Sequence, residues 1–310
     1  MDYILLLTGF VILILGGHWL LKAAVGLSLR MNIPKIVIGM TVVSFATSMP
    51  ELIVSLNSAL DGQADLALGN VIGSNIANLG LVLGIVTIIS TISVEKSFYK
   101  IDWPVMMLSS VVLYFFIAFD GVLQRYEGVI LFTLLIVFLI YLLKFQKIAV
   151  VDEMPDDDVE LPLYTALIYL VIGGIGLWAG SELLIKGAVS LASGFGVSVR
   201  IIGVTIVSIG TSIPELAASI IAVVKKEKAI SLGNLIGSNV FNILAVLGIT
   251  SMITPLTVKD PGLLTNDIIW MLVFALLVFP LVFVPVRMKL TWKEGLILLG
   301  GYVVFITLML

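Results

Sequence analysis

Residues 44–52 read SFATSMPEL, and residues 208–216 read SIGTSIPEL. Each stretch lies inside a long apolar segment, yet each contains a Thr-Ser pair, a proline and a glutamate. A carboxylate inside a lipid bilayer is costly in free energy, and such residues mark ion pathways and proton relays. The recurrence of this unusual pattern makes Glu51 and Glu215 the first candidates for a functional role.

The composition of the chain places both stretches in a membrane. The 310 residues are 60% hydrophobic and 12% charged, with a mean hydropathy of +1.20, whereas soluble domains are about a quarter charged. Apolar runs long enough to cross a hydrocarbon core, about 20 residues each, recur from end to end. The net charge of -3, without a basic stripe, argues against a nucleic-acid partner. The lack of cysteine excludes disulfides and thiolate metal sites.

Charges and turn signals divide the chain into ten predicted transmembrane helices. The sequence therefore predicts an all-α polytopic membrane protein with two five-helix repeats, at 1–146 and 163–310, joined by an acidic linker at 147–162. We interpret this linker as solvated, because Pro155 and the clustered like charges oppose regular structure. The EF-hand pattern of a regulatory Ca²⁺ site does not appear in it. The helices are predicted near 2–22, 37–60, 66–93, 103–120, 126–146, 163–186, 201–224, 230–256, 267–286 and 294–310.

The distribution of basic residues predicts the orientation of the chain. Lys and Arg accumulate in loops on the cytoplasmic side of a membrane. If the N-terminus is outside, the inner loops hold thirteen of the 17 basic residues and the outer loops hold four. We therefore expect both termini outside and the acidic linker in the cytoplasm.

The two halves of the chain resemble one another. Aligning 37–84 with 201–248 at a constant offset of 164 gives 22 identities in 48 positions without a gap. Such self-similarity indicates an internal duplication. Because each copy has an odd number of helices, the second copy enters the membrane from the opposite side. The sequence thus predicts an inverted repeat, which is the architecture of many secondary transporters, with binding residues near the bilayer midplane.

The opening motif predicts a broken helix that is rich in oxygen donors. Pro50 removes a backbone donor and pushes the residues before it away from the α conformation, so we predict a break of the second helix at 47–49. Freed carbonyls, the hydroxyls of Thr47 and Ser48 and the carboxylate of Glu51 then form a cluster of hard oxygen ligands. The seventh helix is predicted to break in the same way and to repeat this set with Thr211, Ser212 and Glu215.

The next helix of each copy adds hydroxyl and amide oxygens. Its sequence is GNVIGSNIANLGLVLG at 69–84 and GNLIGSNVFNILAVLG at 233–248. Ser74 and Asn78 are spaced i, i+4 and share one helical face. The second copy repeats this pair with Ser238 and Asn242. A structural role is expected for the asparagines that lie off this face: Asn70, Asn75, Asn234 and Asn239.

These side chains supply oxygen ligands but no nitrogen or sulfur ligands, which suits hard cations. Ca²⁺ takes about 6–8 oxygen ligands, and two ionised glutamates neutralise one divalent ion. Several Na⁺ ions could instead share the two carboxylates. A load of three Na⁺ would leave one positive charge and make an exchange cycle sensitive to voltage. We expect Na⁺, Ca²⁺ and membrane lipid as partners, with no cofactor and no obligatory protein partner.

At these residues the sequence resembles the sodium/calcium exchanger family, a branch of the cation/Ca²⁺ antiporters. The motifs T-S-x-P-E and G-N-x-I-G-S-N, each present twice in register, are similar to that family's two alpha repeats. The short chain resembles the prokaryotic branch. The resemblance implies an antiporter that exchanges Na⁺ for Ca²⁺ in a prokaryotic plasma membrane, with the first and sixth helices sliding as a gating bundle.

The resemblance also implies roles for individual residues. Ca²⁺ would be held by the central carboxylates and by threonine carbonyls: Glu51, Glu215, Thr47 and Thr211. Asn78 and Asn242 would lie at the middle of the site. The flanking Na⁺ sites would be lined by Ser48, Ser74, Ser212 and Ser238, with carbonyls from Ser44 and Ser208.

Two sequence features bear on the coupling ion. Some prokaryotic members and the potassium-dependent branch have Asp at the position of Asn242. With Asn in both repeats, this site would carry a charge of -2 instead of -3, which argues against K⁺ co-transport. The G-N-x-x-E signature of proton/Ca²⁺ exchangers is absent from the first motif, which favours Na⁺. Antiport of H⁺ against Ca²⁺ or another divalent cation is the alternative. A cation channel is less favoured, because paired broken helices indicate alternating access.

Overall fold

A computed structural model describes residues 2–145, 161–194 and 210–309 of the chain. Most of the acidic linker and the candidate ligand Ser208 lie outside these residues. The described residues form fourteen α-helices, five short π-helical segments and four two-residue strands. The α-helices are α1 (Asp2–Met31), α2 (Lys35–Ile38), α3 (Ser44–Thr47), α4 (Met49–Leu60), α5 (Ala64–Ala77), α6 (Leu83–Ile89), α7 (Trp103–Asp120), α8 (Arg125–Phe145), α9 (Leu163–Gly194), α10 (Ile213–Val224), α11 (Lys228–Phe241), α12 (Gly248–Ile253), α13 (Ile268–Leu281) and α14 (Trp292–Met309). The π-helical segments are Gly39–Val43, Asn78–Val82, Phe98–Asp102, Asn242–Leu247 and Leu263–Asp267, and the strands are β1 (Ile92–Ser93), β2 (Val122–Leu123), β3 (Leu256–Thr257) and β4 (Lys289–Leu290).

The helices are long and apolar enough to make the chain a polytopic membrane protein. Within the described residues, eight helical stretches are long and apolar enough to cross a bilayer, and a bent pair of helices makes nine if the pair is counted as one span. The predicted seventh helix at 201–224 lies partly outside the described residues, and α10 is its described part. Large apolar side chains are widely exposed, for example Phe119 at 95% and Leu7 at 68%, as contact with lipid requires.

The helix ends differ from the predicted ones mainly in the first helix of each repeat. The predicted helix at 2–22 continues to Met31 in α1, and the predicted helix at 163–186 continues to Gly194 in α9. The charges of Lys22 and Lys186 predict helix ends at these residues. Long lysine side chains are instead accommodated within a helix when the head group reaches polar surroundings.

The described fold divides into two compact units. Unit 1 comprises Met1–Thr47 and Phe145–Asn234 with Leu310, and unit 2 comprises Ser48–Lys144 and Leu235–Met309. Each unit therefore contains segments from both predicted repeats.

In unit 1, α1 and α9 pack against each other along their lengths. Glycines on the facing sides permit this close approach of two backbones. A Cβ atom at Gly16 would lie 2.7 Å from the backbone nitrogen of Leu177, and one at Gly173 would lie 2.6 Å from that of Leu20. Helix α10 packs on α1 and on α9. The first and sixth predicted membrane helices are thus a closely packed pair.

In unit 2, the α4–α5 hairpin packs on a segment of the second sequence repeat. Helix α4 and helix α5 contact each other and the π-helical segment Asn242–Leu247, while α13 packs on α7 and α14 packs on α6.

Two antiparallel ribbons join the connections between helices. Strand β1 pairs with β4, with Ile92 opposite Leu290, and β2 pairs with β3, with Val122 opposite Thr257. Each ribbon combines one strand from each sequence repeat.

The backbone is interrupted at Ser48, which confirms the predicted break at 47–49. Ser48 separates α3 from α4 with φ -86° and ψ 4°, and the chain bends by 44° there. Pro50 occupies the first turn of α4. Backbone N–H groups in the first turn have no partner within the helix, so the missing N–H of proline costs no helical hydrogen bond. Ser212 has nearly the same conformation, φ -89° and ψ 3°, immediately before α10. The residues before Gly210 lie outside the described part of the chain, so the matching break is described only on its C-terminal side.

We predict that Gly173→Ala destabilises unit 1. The new Cβ would meet backbone atoms of α1, which cannot move aside as a flexible side chain can, and overpacking of this kind costs about 1–3 kcal/mol. Thermal unfolding of the purified protein in detergent should show a lower midpoint. Gly300→Ala is the matched control, because a Cβ there meets nothing within 4 Å. Equal midpoints for the two variants would contradict the close packing of α1 on α9.

Candidate cation-binding clusters

Ten of the twelve residues predicted to bind cations are buried, at most 3% exposed. They are Ser44, Thr47, Ser48, Glu51, Ser74, Asn78, Ser212, Glu215, Ser238 and Asn242. Thr211 is partly exposed, and Ser208 lies outside the described residues. Buried polar groups of this density need hydrogen-bond or ionic partners. Their partners therefore indicate what the residues do.

The carboxylate of Glu51 belongs to unit 2 and is fully buried. It occupies the first turn of α4, where the N-terminal end of the helix dipole favours negative charge. The hydroxyl of Ser74 on α5 lies 3.5 Å from Glu51 Oε1, at the limit of a hydrogen bond. The structure thus brings together one predicted pair, the first carboxylate and a hydroxyl from the following helix.

Asn78 and Asn242 occupy corresponding places in unit 2. Each is the first residue of a π-helical segment, Asn78–Val82 and Asn242–Leu247. Such segments frequently occur at functional sites. The Nδ2 of Asn242 donates a hydrogen bond of 3.1 Å to Asn75 Oδ1, while its own Oδ1 accepts no hydrogen bond from the described residues. Neither side-chain atom of Asn78 has a hydrogen-bond partner among the described residues.

In unit 1, the C-terminal end of the first broken helix is tied to Asn234. The Thr47 hydroxyl lies 3.2 Å from Asn234 Oδ1 and 3.4 Å from the carbonyl of Ser44. The Ser44 hydroxyl lies 2.8 Å from the Gly39 carbonyl and 2.9 Å from the Asn234 carbonyl. These contacts hold α3 in place beside α11 at the point where its helical hydrogen bonding ends.

Glu215, the second buried carboxylate, also belongs to unit 1. It lies in the first turn of α10 behind Ser212, so its helix dipole favours a negative charge as that of α4 does for Glu51. Both Glu215 and Ser212 are at most 1% exposed. Glu51 and Glu215 therefore have matching local surroundings in different compact units.

The ligand chemistry of both clusters is dominated by neutral oxygen. Among the described residues, no group of three or more His, Cys, Asp or Glu side chains could hold a metal ion. A cation at either carboxylate would therefore take its remaining ligands from hydroxyls, amides and carbonyls. That donor set suits Na⁺ and Ca²⁺ and does not suit the softer transition metals.

One repeated hydrogen bond was not predicted from the sequence. Asn70 Nδ2 donates to Ser55 Oγ at 2.9 Å in unit 2, and Asn234 Nδ2 donates to Ser219 Oγ at 3.1 Å in unit 1. Asn70 Nδ2 also lies 3.4 Å from the Glu51 carbonyl, in line with the structural role expected for this residue. Ser55 and Ser219 differ by the same offset of 164 as the motifs. That identity was the available signal, since a serine outside the motifs has no distinctive chemistry of its own.

The described fold is that of a polytopic membrane protein, and each of its compact units contains a carboxylate buried in the first turn of a helix. The chain belongs to the sodium/calcium exchanger family. The family profile described as "Sodium/calcium exchanger protein" matches residues 1–144 and 165–310. The family and the fold are those of transporters.

Individual relatives are similar over most of the chain. The putative antiporter CaxA of Alkalimonas amylolytica is 40% identical over 258 residues, which is 81% of each chain. The sodium/calcium exchanger MaX1 of Methanosarcina acetivorans is 28% identical, over 99% of this chain and 98% of its own. A solved structure of the sodium-calcium exchanger NCX_Mj, soaked with 2.5 mM Na⁺ and 0.1 mM Ca²⁺, matches with a TM-score of 0.83 at 30% identity, covering 99% of this chain and 97% of that one.

We predict that Asn234→Ala and Asn70→Ala both lower the thermal unfolding midpoint. Each variant leaves a serine hydroxyl without its amide partner, which costs about 1–3 kcal/mol when the group is buried. The effect should be larger for Asn234, which is 1% exposed, than for the partly exposed Asn70. Asn57→Ala, an exposed asparagine on α4, is the control and should change little. A larger loss for Asn57 than for Asn234 would contradict this assignment.

Proposed function

We propose that the chain is a secondary antiporter that exchanges Na⁺ for Ca²⁺ by alternating access, with net movement of charge and extrusion of Ca²⁺. The observation that carries the proposal is the recurrence of one buried glutamate, Glu51 and Glu215, directly after the same Thr-Ser-x-Pro motif. The family membership supports cation/Ca²⁺ antiport as the broader activity. The coupling ion and the direction of transport are parts of our proposal.

Competition for the two carboxylates is the proposed basis of coupling. Glu51 and Glu215 would serve both ions as ligands, so that Ca²⁺ and a full load of Na⁺ exclude each other. The flanking ligands remain those expected from the sequence: Thr47, Thr211, Ser48, Ser212, Ser74, Ser238, Asn78, Asn242, Ser44 and Ser208. Their supply of hydroxyl, amide and carbonyl oxygens suits either ion, which is the condition for competition.

We also propose the ten-helix inverted topology, with five-helix repeats at 1–146 and 163–310, broken second and seventh helices and both termini outside. The paired strands support it, because β1 with β4 and β2 with β3 are equivalent combinations under exchange of the two repeats. The similar backbone at Ser48 and Ser212 supports it as well. The excess of Lys and Arg in loops of one side favours this orientation in a prokaryotic plasma membrane.

Antiport of H⁺ against Ca²⁺ is the second candidate function. It is favoured by the same two buried carboxylates, because each could bind a proton instead of coordinating Na⁺. The two candidates differ in the gradient that drives transport and not in the residues that bind Ca²⁺. A channel would instead pass Ca²⁺ without any opposing gradient.

We predict that Glu51→Gln and Glu215→Gln each lower Ca²⁺ uptake driven by a Na⁺ gradient by about 100-fold or more. Glutamine keeps the shape but removes one of two charges, and breaking a buried charge pair costs about 3–5 kcal/mol. The measurement is initial uptake of radioactive Ca²⁺ into proteoliposomes. Glu182→Gln is the control, because this residue is 44% exposed and pairs with Lys186 on the same helix. Full activity of either site variant would refute the role of its carboxylate.

We predict that Asn242→Asp makes transport depend on pH or on K⁺. The substitution raises the site charge from -2 to -3, and a further buried carboxylate requires a compensating cation. Uptake by the variant should change across pH 5 to 8 or on addition of K⁺, whereas the unmodified chain is expected to show a smaller response. Identical pH and K⁺ profiles for the two proteins would contradict the prediction.

A further inference from the structure

We propose that Asn75 is a positioning residue that turns the amide oxygen of Asn242 toward a bound cation. The inference rests on the proposed function, because it concerns how one predicted ligand is oriented. Sequence reasoning gave Asn75 only a structural role, since it lies off the face that carries Ser74 and Asn78. Its contacts in unit 2 give it a more specific one.

The orientation of the Asn75 amide is fixed by groups that can only accept hydrogen bonds. Its Nδ2 donates to the backbone carbonyl of Asn239 at 3.2 Å and lies 3.7 Å from the sulfur of Met271. A carbonyl oxygen and a thioether sulfur both lack a proton to donate. The NH₂ group of Asn75 must therefore face Asn239 and Met271, and its Oδ1 must face away from them.

This orientation in turn determines that of Asn242. The Oδ1 of Asn75 accepts from Asn242 Nδ2 at 3.1 Å. Reversing the Asn242 amide would place two oxygen acceptors against each other, which a neutral amide pair cannot satisfy. The Oδ1 of Asn242 is consequently directed away from Asn75. It is buried and accepts no hydrogen bond from the described residues, so it presents an oxygen that suits a cation ligand.

The equivalent pair in the other repeat lacks this hydrogen bond. Asn239 corresponds to Asn75 and Asn78 corresponds to Asn242 at the offset of 164. The Asn239 amide donates to the carbonyl of Leu235 on its own helix at 3.1 Å, and Asn78 has no side-chain hydrogen bond to the described residues. The amide of Asn242 is therefore held in one orientation, while that of Asn78 is not. The sequence repeat is nearly symmetric here, but the hydrogen bonds are not.

A double-mutant cycle tests the proposal. Asn75→Leu removes the acceptor at similar volume and is combined with Asn242→Ala, and the Ca²⁺ dissociation constant is measured by calorimetric titration of the purified protein without Na⁺. We expect Asn75→Leu alone to weaken Ca²⁺ binding about three- to tenfold, the range of one hydrogen bond. In the Asn242→Ala background it should weaken binding less than about twofold, because no amide is left to orient. Asn239→Leu is the control for the loss of a buried amide that does not contact Asn242. Its effect on the Ca²⁺ dissociation constant should be the same in the unmodified protein and in the Asn242→Ala variant.

Two results would overturn the positioning role. One is an equal effect of Asn75→Leu with and without the Asn242 amide. The other is a loss of thermal stability with unchanged Ca²⁺ affinity, as a purely structural residue would give. If Asn75→Leu does not yield folded protein, Asn75→Ala takes its place in the same cycle. Absence of Ca²⁺ binding by the unmodified chain would remove the proposed function itself, which is a different outcome from additivity in the cycle.

Discussion

A carboxylate that is held away from water needs positive charge or hydrogen-bond donors close by, and each compact unit of this fold contains one such carboxylate. Glu51 and Glu215 are completely buried, and each lies in the first turn of a helix that directly follows a serine. The helix dipole compensates only part of a full negative charge. In our proposal, a cation that enters such a cluster adds to this compensation. This is why transport is an exchange: a carboxylate that loses one cation requires another.

In our proposal, the neutral residues of the repeated motifs have a different task, which is to present oxygen atoms in fixed directions. Hydroxyls and amides can point either way, so their orientation depends on neighbours that can only donate or only accept. Asn234 holds the hydroxyl of Thr47 in unit 1, and Asn75 holds the amide of Asn242 in unit 2. Asn239, the counterpart of Asn75 at the offset of 164, instead donates to the carbonyl of Leu235 on its own helix. Duplication of a sequence therefore supplied equivalent residues without making their surroundings equivalent.

Much of this arrangement could be predicted from the sequence, because proline and charge act locally. The break at Ser48 follows from Pro50, and the burial of Glu51 follows from its place in a long apolar segment. The bond between Asn75 and Asn242 could not be predicted, because it depends on how α5 packs against a π-helical segment far along the chain. The ribbons formed by β1 to β4 were also missed, since two-residue strands have no periodicity to detect. The full lengths of α1 and α9 were missed because Lys22 and Lys186 resemble helix ends.

The central claim is that a Na⁺ gradient drives Ca²⁺ movement through the two glutamates, and the most direct test compares driving gradients. Radioactive Ca²⁺ uptake is measured in proteoliposomes loaded with Na⁺ and diluted into Na⁺-free buffer, beside vesicles that carry only a pH gradient. The account predicts uptake that requires internal Na⁺ and responds to a K⁺/valinomycin potential. Uptake driven by the pH gradient alone, with no response to Na⁺, would contradict the account and make the glutamates proton carriers.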